Sequence, residues 1–198
     1  MGELLVFKGQ GDIRDFPGNY SDYRDWKLTR EEVLVRRYEI LFQEVGMSCD
    51  AKKISEKYED FLGEGHYFIP GAKELLEDLS KKYHLYLASN GAVKVQMSRI
   101  KSAGIEKYLE KIFLSEQIGY EKPSPQFFEK CFAQIPDFKK EEALILGDSL
   151  TSDIRGGKNA GILTVWFHPS GKKVEEEIVP DYEIGKLEEL KTILSFYS

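Results

Sequence analysis

The stretch Ala143-Leu144-Ile145-Leu146-Gly147-Asp148-Ser149-Leu150-Thr151-Ser152-Asp153 decides the fold. Four apolar residues closed by a glycine have the length and texture of a buried strand. A carboxylate follows that strand at once, and a second stands five residues further on. Downstream, a short helix is predicted over 153–160 and a strand over 164–167. Upstream lie a helix over 72–82, a strand over 84–88, a helix over 93–102, a strand over 112–115 and a helix over 125–135. A strand at 182–184 and a helix over 186–196 complete the pattern. Strands alternating with helices at this spacing indicate parallel βαβ units with right-handed crossovers, an α/β doubly wound sheet.

The first third reads differently. Leu4-Leu5-Val6-Phe7 suits one short buried strand, and Gly9, Gly11, Pro17 and Gly18 then mark irregular chain. Thr29-Arg30-Glu31-Glu32 is a capping box. The helix behind it carries Val33, Val35, Tyr38, Leu41, Phe42 and Val45 and stops at Gly46. A second helix over 50–62 places Ile54, Tyr58, Phe61 and Leu62 on one stripe. The pair forms a small helical insert, ending near Gly63-Glu64-Gly65-His66.

In open parallel sheets, ligands gather at the carboxyl ends of the strands. Three segments fall there. Asp148 follows a strand and can hold a hard cation, with Asp153 reaching a metal-bound water; Mg²⁺ commonly takes one or two carboxylates plus waters and phosphate oxygens. The plainer reading makes Asp148 a turn former and Asp153 a helix cap. Ser89-Asn90-Gly91 ends another strand. The Ser89 hydroxyl and the Asn90 backbone N–H can grip phosphate oxygens beside a helix N-terminus, although Ser-Asn-Gly is also an ordinary turn. Lys122 precedes Pro123, which favours extended backbone, and Ser124-Pro125 should start a helix. Its ammonium can neutralise phosphate charge or simply face water. His66 reads as a hinge residue, His84 and His168 as strand-edge residues, and Trp26 and Trp166 as packing residues. The run 172–177 reads as a solvated loop.

The chain has 198 residues, 41% of them hydrophobic, enough for one core domain with an insert. A net charge of −6 argues against a broad nucleic-acid footprint. No apolar run approaches the ~20 residues that cross a bilayer, so no membrane partner is expected. Cys49 and Cys131 make no disulfide framework and are expected as reduced thiols of a cytoplasmic protein. No signal peptide is apparent.

Ser-Asn-Gly, then Lys-Pro, then Gly-Asp-Ser-xxx-Asp, each after a strand, resembles the haloacid dehalogenase-like hydrolase superfamily. The run Ile154-Arg155-Gly156-Gly157-Lys158-Asn159-Ala160-Gly161 adds to the likeness, which extends from Pro70 to the C-terminus. The pyrimidine 5′-nucleotidase-like branch is the nearest in look. The resemblance implies a Rossmannoid core over 1–16 and 66–198, with a shortened helical cap, 17–65, inserted after the first strand. It also implies a phosphomonoesterase scaffold for a small phosphorylated metabolite such as a nucleotide. Ser89 and Lys122 would orient and neutralise the phosphoryl group, with Asn90 and Gly91 in the phosphate turn. Asp148 and Asp153 would hold Mg²⁺.

In that family the first strand ends in Asp-x-Asp, whose first member attacks phosphorus and whose second is the acid and base. Here the same alignment places Lys8 and Gln10 at those positions, and the chain contains no Asp-x-Asp. A protonated Lys8 is no nucleophile, and it is expected to pair with Asp148 where the metal would sit. Weak or absent hydrolysis is therefore expected. Asp12 or Asp15 as a substitute nucleophile, a non-catalytic relative binding a phosphorylated ligand or a protein, and a fold impaired by a lost central strand remain alternatives.

Overall fold

The computed structural model describes residues 4–8, 12–16, 29–171 and 177–197; for 4–8, 12–16 and Arg30 it describes the backbone alone. The chain divides into two compact units, Met1–Gly65 and His66–Ser198.

In the first unit, β1 (Leu4–Lys8) forms where a strand is predicted, one residue longer. Its ladder partner is β2 (Asp12–Phe16), antiparallel, with Lys8 opposite Asp12 and Leu4 opposite Phe16. The irregular chain expected after Gly9 is thus in part a strand. A three-residue connection between short extended runs is hairpin geometry, and it puts Asp12 and Asp15 on a strand rather than in a loop. The capping box forms as read: Thr29 Oγ1 accepts from the Glu32 backbone N–H, and the Thr29 N–H donates to Glu32 Oε2 at 2.6 Å. It opens α1 (Arg30–Glu44). Helix α2 (Ala51–Glu64) starts at Asp50, whose Oδ1 accepts from Lys53 N. Trp26 and Gln10 lie outside the described residues, as do the Lys8 side chain and its expected pairing with Asp148.

The second unit carries the α/β pattern. Helix α3 (Ala72–Leu79) leads to β3 (Tyr86–Ser89), α4 (Val93–Ala103) and β4 (Lys111–Leu114). A short α5 (Ser115–Ile118) and then α6 (Pro125–Phe132) lead to β5 (Leu144–Gly147). After a wide turn come α7 (Arg155–Ala160), β6 (Leu163–Phe167), β7 (Tyr182–Ile184) and α8 (Leu190–Leu194). The helix expected over 186–196 is a 3₁₀ turn, Leu187–Glu189, running into α8.

The parallel strands form two ladders, β3-β4 and β5-β6-β7. Side chains alternate across them as a doubly wound fold requires. Val165, Phe167 and Ile184, with Leu144 and Leu146, pack on Leu75, Leu190 and Ile193. Ile145, Ala88 and Tyr86 turn the other way, onto Phe113, Phe127, Phe128, Cys131, Ala160 and Ile162. Burial pushes the Cys131 thiol up to about 12, so it behaves as a core residue; Cys49 is exposed.

Helix α7 approaches the sheet so closely that Gly157 leaves no room for a side chain. A Cβ there would lie 2.5 Å from Ile145 Cγ2 and 2.7 Å from Thr164 Cγ2. Gly157→Ala is expected to destabilise the fold by about 1–3 kcal/mol through overpacking, read as a lower urea midpoint at unchanged slope.

Asp181 ties the chain entering β7 to β6. Its Oδ2 accepts from Thr164 N (2.9 Å) and Thr164 Oγ1 (2.7 Å), its own N–H donates back to Thr164 Oγ1, and Lys158 Nζ donates to Oδ1. Burial opposes ionisation of Asp181, but the hydrogen bonds from Lys158 and Thr164 outweigh it and hold the carboxyl below its ordinary 3.8. A group depressed in the folded state stabilises above its unfolded value, and that contribution is lost as pH falls through the folded one. Between about pH 5 and about pH 3, the urea midpoint of wild type should therefore fall more steeply than that of Asp181→Asn.

Candidate functional site

Three chain segments of the second unit converge beyond the strand ends, and a lysine sits at their centre. The expectation left Lys122 between phosphate and water; its side chain is 8% exposed. Nζ donates to Ala88 O at 2.7 Å and to Asp153 Oδ1 at 2.6 Å. An ammonium has three donors, so these two contacts leave one direction for a further acceptor. The loop is fixed by a turn, in which Ser124 N donates to Glu121 O, and the Lys122–Pro123 bond is cis. Pro125 takes the first position of α6 as expected, but Ser124 makes no cap; its hydroxyl donates to Gln126 Oε1.

Asp153 is not a helix cap. It lies within a π-type turn, Leu150–Ile154, whose N-cap is Ser149. Ser149 Oγ accepts from Ser152 N, and Asp153 Oδ2 accepts from Ser149 N at 3.1 Å. The carboxylate lies against Gly147, where a Cβ would stand 2.3 Å from Asp153 Cγ. That contact explains a glycine at the end of β5. Gly156 is similarly constrained, because a Cβ would press on the Phe128 ring and Pro123 Cα. Asn159 Nδ2 donates to Pro123 O from the same helix. The Gly-Gly pair therefore seats α7 on the Lys-Pro turn with one glycine and on the sheet with the other.

At the end of β3, Ser89 Oγ accepts from Gly91 N at 3.0 Å, closing the Ser-Asn-Gly turn. Asn90 is bonded twice to Lys122: Oδ1 accepts from Lys122 N and Nδ2 donates to Lys122 O, both at 2.9 Å. The helix terminus that follows already meets a carboxylate, since Val93 N donates to Glu116 Oε2 at 2.8 Å. Sequence reasoning missed Glu116. It sits 23 residues downstream in α5, with no local pattern to mark it.

Asp148 is exposed, and its carboxylate has no partner among the described residues. Its backbone carbonyl accepts from Trp166 Nε1 at 2.9 Å. Trp166 is buried, as its packing role predicts, and stacks on His168 at 4.0 Å between centroids. His168 in turn contacts Glu183 and Ser170, while His66 Nδ1 lies 2.7 Å from Ser102 Oγ and His84 Nδ1 3.1 Å from Glu110 Oε1. The site thus joins Asn90, Lys122 and Asp153 by direct bonds, with Ser89 adjacent to Asn90 and Asp148 five residues before Asp153 in the chain. No group of three or more metal-binding side chains occurs among the described residues. No helix among them is long and apolar enough to cross a membrane.

Comparison with known proteins identifies the family. Residues 27–167 match the model of the haloacid dehalogenase-like hydrolase family. Among relatives, the HAD-hydrolase YfnB of Bacillus subtilis is 41% identical over 178 residues, 90% of this chain and 76% of YfnB. The pyrimidine 5′-nucleotidase PynA of Streptococcus pneumoniae is 34% identical over 197 residues, 95% of this chain and 83% of PynA. The crystal structure of magnesium-bound YfnB superposes with a TM-score of 0.80, covering 88% of this chain and 77% of that one. The chain belongs to the haloacid dehalogenase-like hydrolase family, with the nucleotidase-like branch among its relatives. Its scaffold is that of a phosphatase.

A buried charge pair is costly to break and cheap to replace whole. Asp153→Ala is expected to lose about 3–5 kcal/mol in urea unfolding by stranding the Lys122 ammonium, whereas Lys122→Met combined with Asp153→Leu should regain most of it.

Proposed function

We propose that this chain is a 5′-nucleotidase-like phosphomonoesterase scaffold that holds a small phosphorylated metabolite and hydrolyses it slowly. The observation that carries the reading is the buried Lys122 ammonium, held by Ala88 O and Asp153 beside Ser89 and Asn90. The kinship with PynA, a pyrimidine 5′-nucleotidase, supports a nucleotide as the ligand. In this reading 1–16 and 66–198 make the core, 17–65 make the cap, and the protein works in the cytoplasm.

The Ser89 hydroxyl donates to one phosphoryl oxygen and the backbone at Asn90-Gly91 lines the turn around it. The remaining N–H of Lys122 faces the same group, neutralising charge without needing to reorganise. The donor set also fits a magnesium ion, since Mg²⁺ takes one or two carboxylates and completes its shell with waters and phosphate oxygens. Asp148, exposed and without a partner among the described residues, would hold it, and Asp153 would reach its water shell. When bound, the ion supplies positive charge against the phosphoryl oxygens.

The attacking group is what the sequence lacks. Lys8 and Gln10 stand where the family carries its two aspartates, and neither an ammonium nor a carboxamide attacks phosphorus. Binding and positioning persist without them, and the covalent route does not. The same substitution favours a second reading, a non-catalytic relative that binds a phosphorylated ligand or a protein partner.

Calorimetry with uridine 5′-monophosphate and Mg²⁺ should show binding, while phosphate release stays near background. Lys8→Asp combined with Gln10→Asp should raise release by about a hundredfold or more, the return of several kcal/mol of barrier lowering. Wild-type turnover matching the double variant, and abolished by Asp12→Asn or Asp15→Asn, would overturn the slow-scaffold reading and identify a displaced nucleophile.

A further inference from the structure

The Asn90 carboxamide bonds to protein through both its oxygen and its nitrogen. Oδ1 accepts from Lys122 N, one Nδ2 hydrogen points to Lys122 O, and Ser152 Oγ lies 3.5 Å from the same nitrogen. This orientation of the amide is the one that satisfies both backbone groups, because an N–H needs the oxygen and a carbonyl needs the NH₂. A side chain that bonds both the N–H and the C=O of one residue does what a neighbouring strand does. It fixes that residue's backbone on both sides. Lys122 lies in a loop and has no ladder partner there. Its side chain must nevertheless leave the backbone in one direction to reach Ala88 O and Asp153 Oδ1.

We propose that Asn90 is the positioning residue of the site. Its carboxamide holds the Lys122 backbone, and through it the ammonium, while the Ser89 hydroxyl and the backbone of the Ser-Asn-Gly turn face the phosphate. The inference rests on the phosphate-binding reading above, and it adds that the side chain of Asn90 acts through Lys122 instead of on the ligand.

A double-mutant cycle with inorganic phosphate as the probe, in the presence of Mg²⁺, separates the two roles. Asn90→Ala should weaken phosphate binding about tenfold when Lys122 is present, the scale of two neutral hydrogen bonds. In the Lys122→Ala background the same change should have no further effect. Equal weakening in both backgrounds would mean that Asn90 touches phosphate directly and would overturn the proposal, as would no weakening in either. Asn90→Asp keeps the acceptor for Lys122 N and loses the donor to Lys122 O, so it should fall between wild type and Asn90→Ala; it also serves if the alanine variant does not fold.

A second measurement stands apart from ligand binding. Reductive methylation followed by mass spectrometry should find Lys122 slow to react in wild type and about tenfold faster in Asn90→Ala. The exposed Lys101 serves as the unchanged control. If wild type binds no phosphate but Lys122 reactivity rises in the variant, the phosphate reading fails and the positioning role stands. An unchanged Lys122 rate removes the positioning role whatever phosphate does.

Discussion

An ammonium taken out of water must meet charge and oxygen, and in this protein that requirement joins two sheets. Lys122 Nζ bonds Ala88 O, on β3, and Asp153, in the turn after β5. The two strands belong to different ladders. Apolar contact also links them, since Ala88 and Ile145 share the cluster built on Phe127, Phe128 and Cys131. That contact is non-directional, whereas the lysine fixes a geometry. The desolvation cost of the ion pair is recovered only if every atom is well placed. Neighbouring sequence choices follow from this: no Cβ at Gly147, where Asp153 lies, and none at Gly156, where α7 meets Pro123.

Much of this was legible because it is local. A capping box is four residues long, and its two reciprocal bonds depend on nothing distant. The run 143–146 announces a strand, and β7 is found at the residues read for it. The convergence of Ser89, Lys122 and Asp153 followed from one topological rule, that loops at the carboxyl ends of parallel strands meet. Burial of Lys122 did not follow. A lysine beside a proline looks solvated until its acceptors are known, and those lie 34 residues before it and 31 after it. Glu116, which meets the Val93 N–H of α4 from α5, was hidden for the same reason.

Strand β2 was missed for a different reason. Asp12-Ile13-Arg14-Asp15-Phe16 has too few apolar residues to read as half-buried, and the glycines before it read as loop. Yet two short runs separated by three residues with glycine are also a hairpin signature. The backbone pairing of Lys8 with Asp12 reflects that alternative.

Among the described residues β6 has strands on both sides, while β3 and β5 each have one. The side chains of the strands that carry the candidate site are half-buried where most of those on β6 are buried. Hydrogen bonds made by side chains supply part of what a ladder would: Asn90 on the backbone of Lys122, Lys122 on Ala88 O, Asp153 on Ser149 N. Each is also a group that a phosphate site needs held still. Selection for stability and selection for phosphate binding would preserve the same residues here, so their presence does not by itself argue for turnover. What separates the two is Asp148, whose exposed carboxylate has no partner among the described residues, so the described structure makes no demand on its charge.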